Sequence, residues 1–310
     1  MQVFVMARSH PGHGHDLTVN NYNRAFIISV ALNTSFVVIE AVYGILANSL
    51  ALLADAGHNL SDVLGLLFAW GATLLARRRP TSRRTYGWRR SSILAALLNA
   101  SFLLVVSGGI GWEAILRFRN PAPVAGGTVI FVAAVGIIIN TVSALMFLAG
   151  SKSDLNIKGA FLHLIADAAV SVGVVLAGIA IVATGWLWFD PAIGLIVTAV
   201  ILLTTWQLLQ ESLNLILDAV PAGIEPLAVR TYLSERPDVS GVHDLHIWAM
   251  STTQTALTAH LVMPAGHPGD GFLVQVSREL HDRFGIEHVT LQVEVGDPNY
   301  PCVLAPDNLV

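Results

Sequence analysis

Six long apolar stretches, parted by short polar ones, fill the first two thirds of the 310-residue chain, over residues 24–47, 52–76, 91–116, 126–149, 158–184 and 192–216. Each meets the length of ~20 residues that a helix needs to cross a bilayer. Six membrane helices are therefore expected. Asp218 ends the last stretch, and Pro221-Ala222-Gly223 breaks the chain after it. Beyond that point the pattern predicts a helix near 224–236, strands over 241–250 and 255–263, a helix near 270–284, and a strand over 288–295. This αββαβ order fits a small α+β sandwich with its helices on one face of the sheet. The predicted organisation is a polar amino-terminal segment (1–23), a six-helix membrane domain (24–217), a soluble αββαβ domain (218–297) and a tail (298–310) made irregular by Pro298, Pro301 and Pro306.

Composition supports this division. Hydrophobic residues make up 54% of the chain and charged residues only 12%, with a mean hydropathy of +0.64. Soluble chains carry about 25% charged residues, so this is the profile of a membrane protein. Residues 1–217 hold 13 basic and 9 acidic residues, whereas residues 218–310 hold 4 and 12. An acidic tail excludes nucleic acid as a natural partner and attracts cations. Eleven of the basic residues in the membrane half lie in the amino-terminal segment and in the loops after the second and fourth helices, against two in the alternate loops. The positive-inside rule then puts both termini in the cytoplasm. No basic n-region with an adjoining apolar run and cleavage site opens the chain, so no cleaved signal peptide is expected. A lone cysteine, Cys302, excludes an internal disulfide.

Few polar residues interrupt the apolar runs, and four of them form a pattern. His58 and Asp62 in the second helix repeat, as His-x-x-x-Asp, at His163 and Asp167 in the fifth. Residues i and i+4 share a helix face, so two such helices packed together offer two nitrogens and two oxygens to one point. Charge at mid-bilayer costs about 2.5–3.5 kcal/mol on insertion scales, which marks both pairs as functional. Two imidazoles favour zinc, with cadmium or cobalt as alternatives, over magnesium, which prefers oxygen ligands and retained water. Zinc binds deprotonated ligands, and imidazole titrates near pH 6.5, so metal and proton compete for the same groups. A site opened alternately to the two faces would exchange zinc for protons. The rival reading is an intramembrane zinc enzyme, which needs an open metal position and a nearby general base.

Other polar residues receive more modest readings. Glu40 and Asp55 are expected to line an outward-facing cavity, and Asn33 and Asn140 to donate hydrogen bonds between helices. His10, His13 and His15 form a candidate metal-capture segment at the amino terminus. Arg77–Arg90 is a lipid-headgroup and topology cluster, within which Arg90 is placed to pair with Asp218. The last third of the chain holds His243, His246, His260, His267, His281 and His288, so a regulatory cytosolic metal cluster is expected there. On a regular strand His243 and His246 would face opposite ways, and only a bulge would bring them together.

Once these residues are read together, the chain resembles the zinc-transporting branch of the cation diffusion facilitator family. Glu40-Ala41-Val42-Tyr43-Gly44, Asn48-Ser49-Leu50-Ala51-Leu52 and the stretch from Ala54 to Asp62 resemble the family's first two helices. Tyr86-Gly87-Trp88-Arg89-Arg90 with Leu94-Ala95-Ala96-Leu97 resembles the entry to its third helix. Leu217-Asp218 followed by Pro221, and Gly241-Val242-His243-Asp244-Leu245-His246-Ile247-Trp248, resemble its passage into the soluble domain. The resemblance implies a homodimer with six membrane helices per subunit and a ferredoxin-like, metallochaperone-like cytosolic domain. It also implies zinc export in exchange for protons, with His58, Asp62, His163 and Asp167 as the transport site. His243, His260, His288, Glu294 and Cys302 fall where related members place cytosolic zinc ligands. Gln292 and Ser92 depart from histidine and glutamate found in other members. The short loop after the fourth helix points to a prokaryotic-type protein, hence a bacterial inner membrane.

Overall fold

The computed structural model describes residues 16–148 and 155–305. Its elements follow the order α1 (Asp16–Leu46), α2 (Leu50–Ala76), α3 (Ser91–Arg119), α4 (Gly126–Phe147), α5 (Leu155–Thr184), α6 (Phe189–Ile216), α7 (Pro226–Ser234), β1 (Gly241–Ala249), β2 (Thr255–Val262), α8 (Asp270–Phe284) and β3 (His288–Glu294). Helices α1 to α6 are each long and apolar enough to cross a membrane, α1 through Ile28–Leu46. Only α1 differs much from its expected bounds, beginning at Asp16 rather than near residue 24. No glycine or proline stands between Asp16 and the apolar run, so a helix once nucleated continues through these polar residues. The candidate ligands His10, His13 and His15 lie outside the described residues.

The described chain forms two compact units. One runs up to Trp70 and resumes over Leu98–Leu209. The other joins Gly71–Leu97 to the chain from Gln210 onward. Thus the loop ends of α2, α3 and α6 group with the tail rather than with the remainder of the helices. Side-chain bonds run within this second unit. Arg89 Nη1 donates to Gln254 Oε1 at 2.9 Å, the Thr252 N–H donates to Ser92 Oγ at 3.1 Å, and Arg90 pairs with Asp218.

In the first unit, small residues bring helices close. A Cβ added at Gly126 or at Gly178 would lie 3.2 Å from the other's carbonyl oxygen, so α4 and α5 meet backbone to backbone. At Gly136 a Cβ would stand 2.7 Å from the Phe36 ring, which seats α1 against α4. Phe36, Leu52, Val129, Val132 and Val174 pack into the buried apolar cluster around this contact.

In the second unit, the sheet order is β1-β2-β3, with β1 antiparallel and β3 parallel to the central β2. Leu257, Ala259 and Leu261 of β2 turn one face towards Val229 and Leu233 of α7 and Val276 and Leu280 of α8. Alternation along β2 sends Thr258 and His260 to the opposite face. That face carries the polar chemistry of the domain.

Candidate metal centre

The first four expected ligands depend on how α2 begins. The chain turns between α1 and α2 at Asn48, whose φ of 55° asparagine tolerates better than most residues. Arg117 holds the turn by donating to the Asn48 carbonyl and side-chain oxygens at 2.6 and 2.7 Å. The first turn of α2 is then capped from another helix. Buried Asp190 of α6 accepts hydrogen bonds from Ser49 Oγ and from the Leu50 and Ala51 N–H groups. These are donors that an α-helix leaves unpaired and that a bilayer cannot satisfy. Sequence reasoning overlooked Asp190, because nothing near it in the chain resembles a cap for α2.

Two turns further along α2, His58 and Asp62 share a face with each other and meet His163 and Asp167 of α5. His58 Nε2 lies 3.4 Å from Asp167 Oδ1 and 3.8 Å from Asp62 Oδ2. His163 Nε2 lies 3.1 Å from Asp62 Oδ2 and 3.6 Å from Asp167 Oδ2. Tetrahedral ligands held 2.0–2.1 Å from zinc stand about 3.3 Å from one another, close to these imidazole–carboxylate separations, with Asp167 meeting His58 through one oxygen and His163 through the other. Donor atoms of His58, Asp62 and Asp167 all lie within 4.8 Å of one another. The His163 ring stands 6.0 Å from the His58 ring and touches the cluster through the two carboxylates. The cluster is closed at Asp167, whose side chain is 5% exposed, and open at His163, 46% exposed.

Several polar residues lie elsewhere than expected. Glu40 and Asp55 line no cavity, since both are fully enclosed. Asn59 Nδ2 donates to Glu40 Oε2 at 3.2 Å, and Ser171 Oγ donates to Asp55 Oδ2 at 3.0 Å. Neither asparagine makes the interhelical bond proposed for it. Asn33 bonds back to Ser29 of its own helix, and Asn140 is buried without a hydrogen-bond partner. Amides in an apolar run can satisfy themselves one turn back, which the pattern of residue types alone does not reveal.

A second cluster occupies the polar face of the sheet. His243 Nε2 lies 3.4 Å from Glu294 Oε2, His260 Nδ1 lies 2.9 Å from Glu294 Oε1, and Cys302 Sγ lies 3.6 Å from His260 Nδ1. One donor from each of these four residues falls within 4.8 Å of all the others. His288 stands apart from them. It opens β3 opposite Ala256, six residues or about 20 Å from Glu294, and its ring packs at 5.5 Å on Tyr86. The bulge that His243 and His246 require is present. His243 pairs with His260 and His246 with Thr258, with Asp244 at a φ of 49° between them. Both imidazoles therefore share the polar face, and Asp244 touches His246 at 3.0 Å and His260 at 3.3 Å.

This setting shifts two groups of the second cluster. Partial burial raises the Glu294 carboxyl, but the Cys302 thiol, the Gln292 amide and the imidazoles of His243 and His260 together hold it below the ordinary range. The Leu304 N–H lowers the Cys302 thiol. Burial and the neighbouring Glu294 and Asp244 carboxylates outweigh it and leave the thiol above its usual value.

Comparison with known proteins agrees with this architecture. The cation efflux transmembrane domain matches residues 26–217, and the cation efflux protein cytoplasmic domain matches residues 221–295. The zinc transporter ZitB of Escherichia coli (strain K12) is 38% identical over 291 residues, 93% of each chain. A cadmium, cobalt and zinc/H(+)-K(+) antiporter of Bacillus velezensis is 35% identical over 93% of this chain and 94% of its own. A solved structure, the metal-bound C-terminal domain of the CzcD transporter from Cupriavidus metallidurans, is 36% identical, covers 23% of this chain and 99% of that one, and has a TM-score of 0.22. With both domains matched in order and a relative aligned along nearly its whole length, the chain belongs to the cation efflux, or cation diffusion facilitator, family.

Proposed function

We propose that this protein exports zinc from the cytoplasm in exchange for protons, through a site made by His58, Asp62, His163 and Asp167. The observation that carries the reading is the meeting of four side chains from α2 and α5, each imidazole 3.1–3.8 Å from both carboxylates, inside helices apolar enough to span a membrane. Metal arriving displaces protons from the imidazoles, and protons returning from the other side displace metal. Four protein ligands fill a tetrahedral shell, which leaves no open position for the water that a zinc hydrolase activates. That favours transport over catalysis. Cadmium and cobalt share zinc's taste for imidazole and are expected to be carried more slowly.

The same reading places both termini in the cytoplasm of a bacterial inner membrane and makes His243, His260, Glu294 and Cys302 a cytosolic zinc site. It also makes the working unit a homodimer, expected in detergent at about twice the chain's 33.1 kDa once bound detergent is subtracted. Zinc flux into proteoliposomes under an imposed pH gradient tests the proposal. Wild type is expected to follow the gradient, and Asp62→Ala and His163→Ala to lose at least about 90% of the flux, as loss of metal ligands does. Flux indifferent to the gradient would replace antiport by a channel, and wild-type flux in Asp62→Ala would remove the site from the path.

A further inference from the structure

Beside the four ligands, the helices enclose a second pair of carboxyl groups that the exchange described above does not use. Glu40 of α1 and Asp55 of α2 have no exposed surface. Each has one oxygen satisfied, by Asn59 and Ser171 respectively. Each also has one oxygen, Glu40 Oε1 and Asp55 Oδ1, buried without any donor. Asn59, which donates to Glu40, stands one turn after Asp55 on the same face of α2, so the two carboxyl groups are neighbours. The ion pairs of this unit involve His58, Asp62, His163, Asp167, Arg117 and Glu113, and none of those found among the described residues neutralises either member.

Two neighbouring carboxylates in a dry site cannot both be ionised without cost, and a buried acceptor without a donor costs its full desolvation. One proton removes both difficulties, because it makes one orphan oxygen a donor to the other. We infer that Glu40 and Asp55 form a carboxyl–carboxylate pair holding one proton, and that this proton is exchanged along with those displaced at the metal cluster. The inference rests on the antiport reading and adds to it a separate proton carrier. Asp55 lies one turn before His58, Asn59 follows His58, and Ser171 lies one turn after Asp167. A dication arriving among the four ligands is therefore close enough to expel the proton by repulsion, and its departure lets a proton return.

The groups near the pair come from three helices: Glu40 itself, then Asp55, His58 and Asp62 of α2, then His163 and Asp167 of α5. Helix α4, which packs against α1 and α5 at Gly136, brings no titratable side chain.

The test counts protons released per zinc bound by the full-length protein in detergent, by calorimetry in buffers of different ionisation enthalpy. Wild type is compared with Glu40→Gln and Asp55→Asn. Each variant is expected to release about one proton fewer while zinc affinity changes by less than about tenfold, since the four ligands remain. Equal proton release in wild type and in both variants would overturn the inference. Infrared spectroscopy of the wild type decides independently of any variant's folding. A protonated-carboxyl stretch at neutral pH that zinc abolishes is expected, and its absence would overturn the pair. A wild type that releases protons on binding zinc but shows no gradient-driven flux would instead sink the antiport reading and leave the pair standing.

Discussion

Zinc ligation begins with which protons must leave. In the tail cluster the Cys302 thiol is held above its usual value, so at neutral pH it carries its proton until a metal displaces it. A raised thiol value means that zinc pays least for the cysteine at high pH, so affinity should climb as pH rises towards that value and fall below it. In an Asp62→Ala background, expected to silence the proposed intramembrane site, zinc titration of the full chain should show this rise. Adding Cys302→Ser should weaken binding about 10- to 100-fold and flatten the pH slope by about one proton. Binding that ignores this substitution would exclude the cysteine as a ligand. At this scale the sequence was informative where spacing is local. His58 and Asp62 fall on one face because a helix turns every 3.6 residues, so their pairing was legible without coordinates. The separation of His288 from Glu294 follows from equally simple strand arithmetic, about 3.3 Å per residue, yet resemblance to other chains had grouped them.

Helices and strands show which parts no local pattern carries. The cap on α2 comes from Asp190, 140 residues after the N–H groups of Leu50 that it accepts from. Asp190→Ala would leave two backbone donors of α2 and the Ser49 hydroxyl without their acceptor in a site closed to water. Each abandoned donor costs about 1–3 kcal/mol. The melting temperature of the purified protein should drop by several degrees, and Asp190→Asn, which keeps an acceptor oxygen, should recover part of it. An unchanged melting curve for Asp190→Ala would mean that α2 finds another cap. The bulge in β1 is legible only in retrospect. Asp244 is among the residues that tolerate a positive φ, but the same letters fit a regular strand. What decides is packing, since the bulge lets His243 and His246 share the polar face while Ile247 reaches the core with Leu257 and Leu261. Strand and helix positions themselves were readable because burial on one face imposes its period on the sequence.

For the whole molecule, hydropathy alone divides the chain at residue 217, whereas contacts assign the loop ends of α2 and α3 to the same unit as the tail. The difference is physical. Hydropathy records which residues avoid water, and it carries no information about the polar bonds that join one surface to another. Arg89 to Gln254 and Thr252 to Ser92 are two such bonds, both between the α2–α3 loop region and the turn from β1 to β2. Arg90 and Asp218 add an ion pair, but with both side chains more than half exposed its contribution is small. The two hydrogen bonds therefore carry the prediction. Arg89→Ala with Ser92→Ala removes one bond to a charged group and one ordinary bond, together about 2–4 kcal/mol before solvent exposure discounts them. Where opening and closing are fast, proteolysis follows the open population, so cleavage within residues 217–225 should quicken at least about tenfold. Arg90→Ala alone should change it by less than about threefold. Since α2, which bears His58 and Asp62, runs on into this unit, the double variant should also disconnect tail zinc from transport. Flux in proteoliposomes would then become insensitive to Cys302→Ser, whereas in the parent protein that substitution should alter it. If the double variant cleaves at the wild-type rate and its flux still responds to Cys302→Ser, the loop contacts neither hold the tail nor carry its signal.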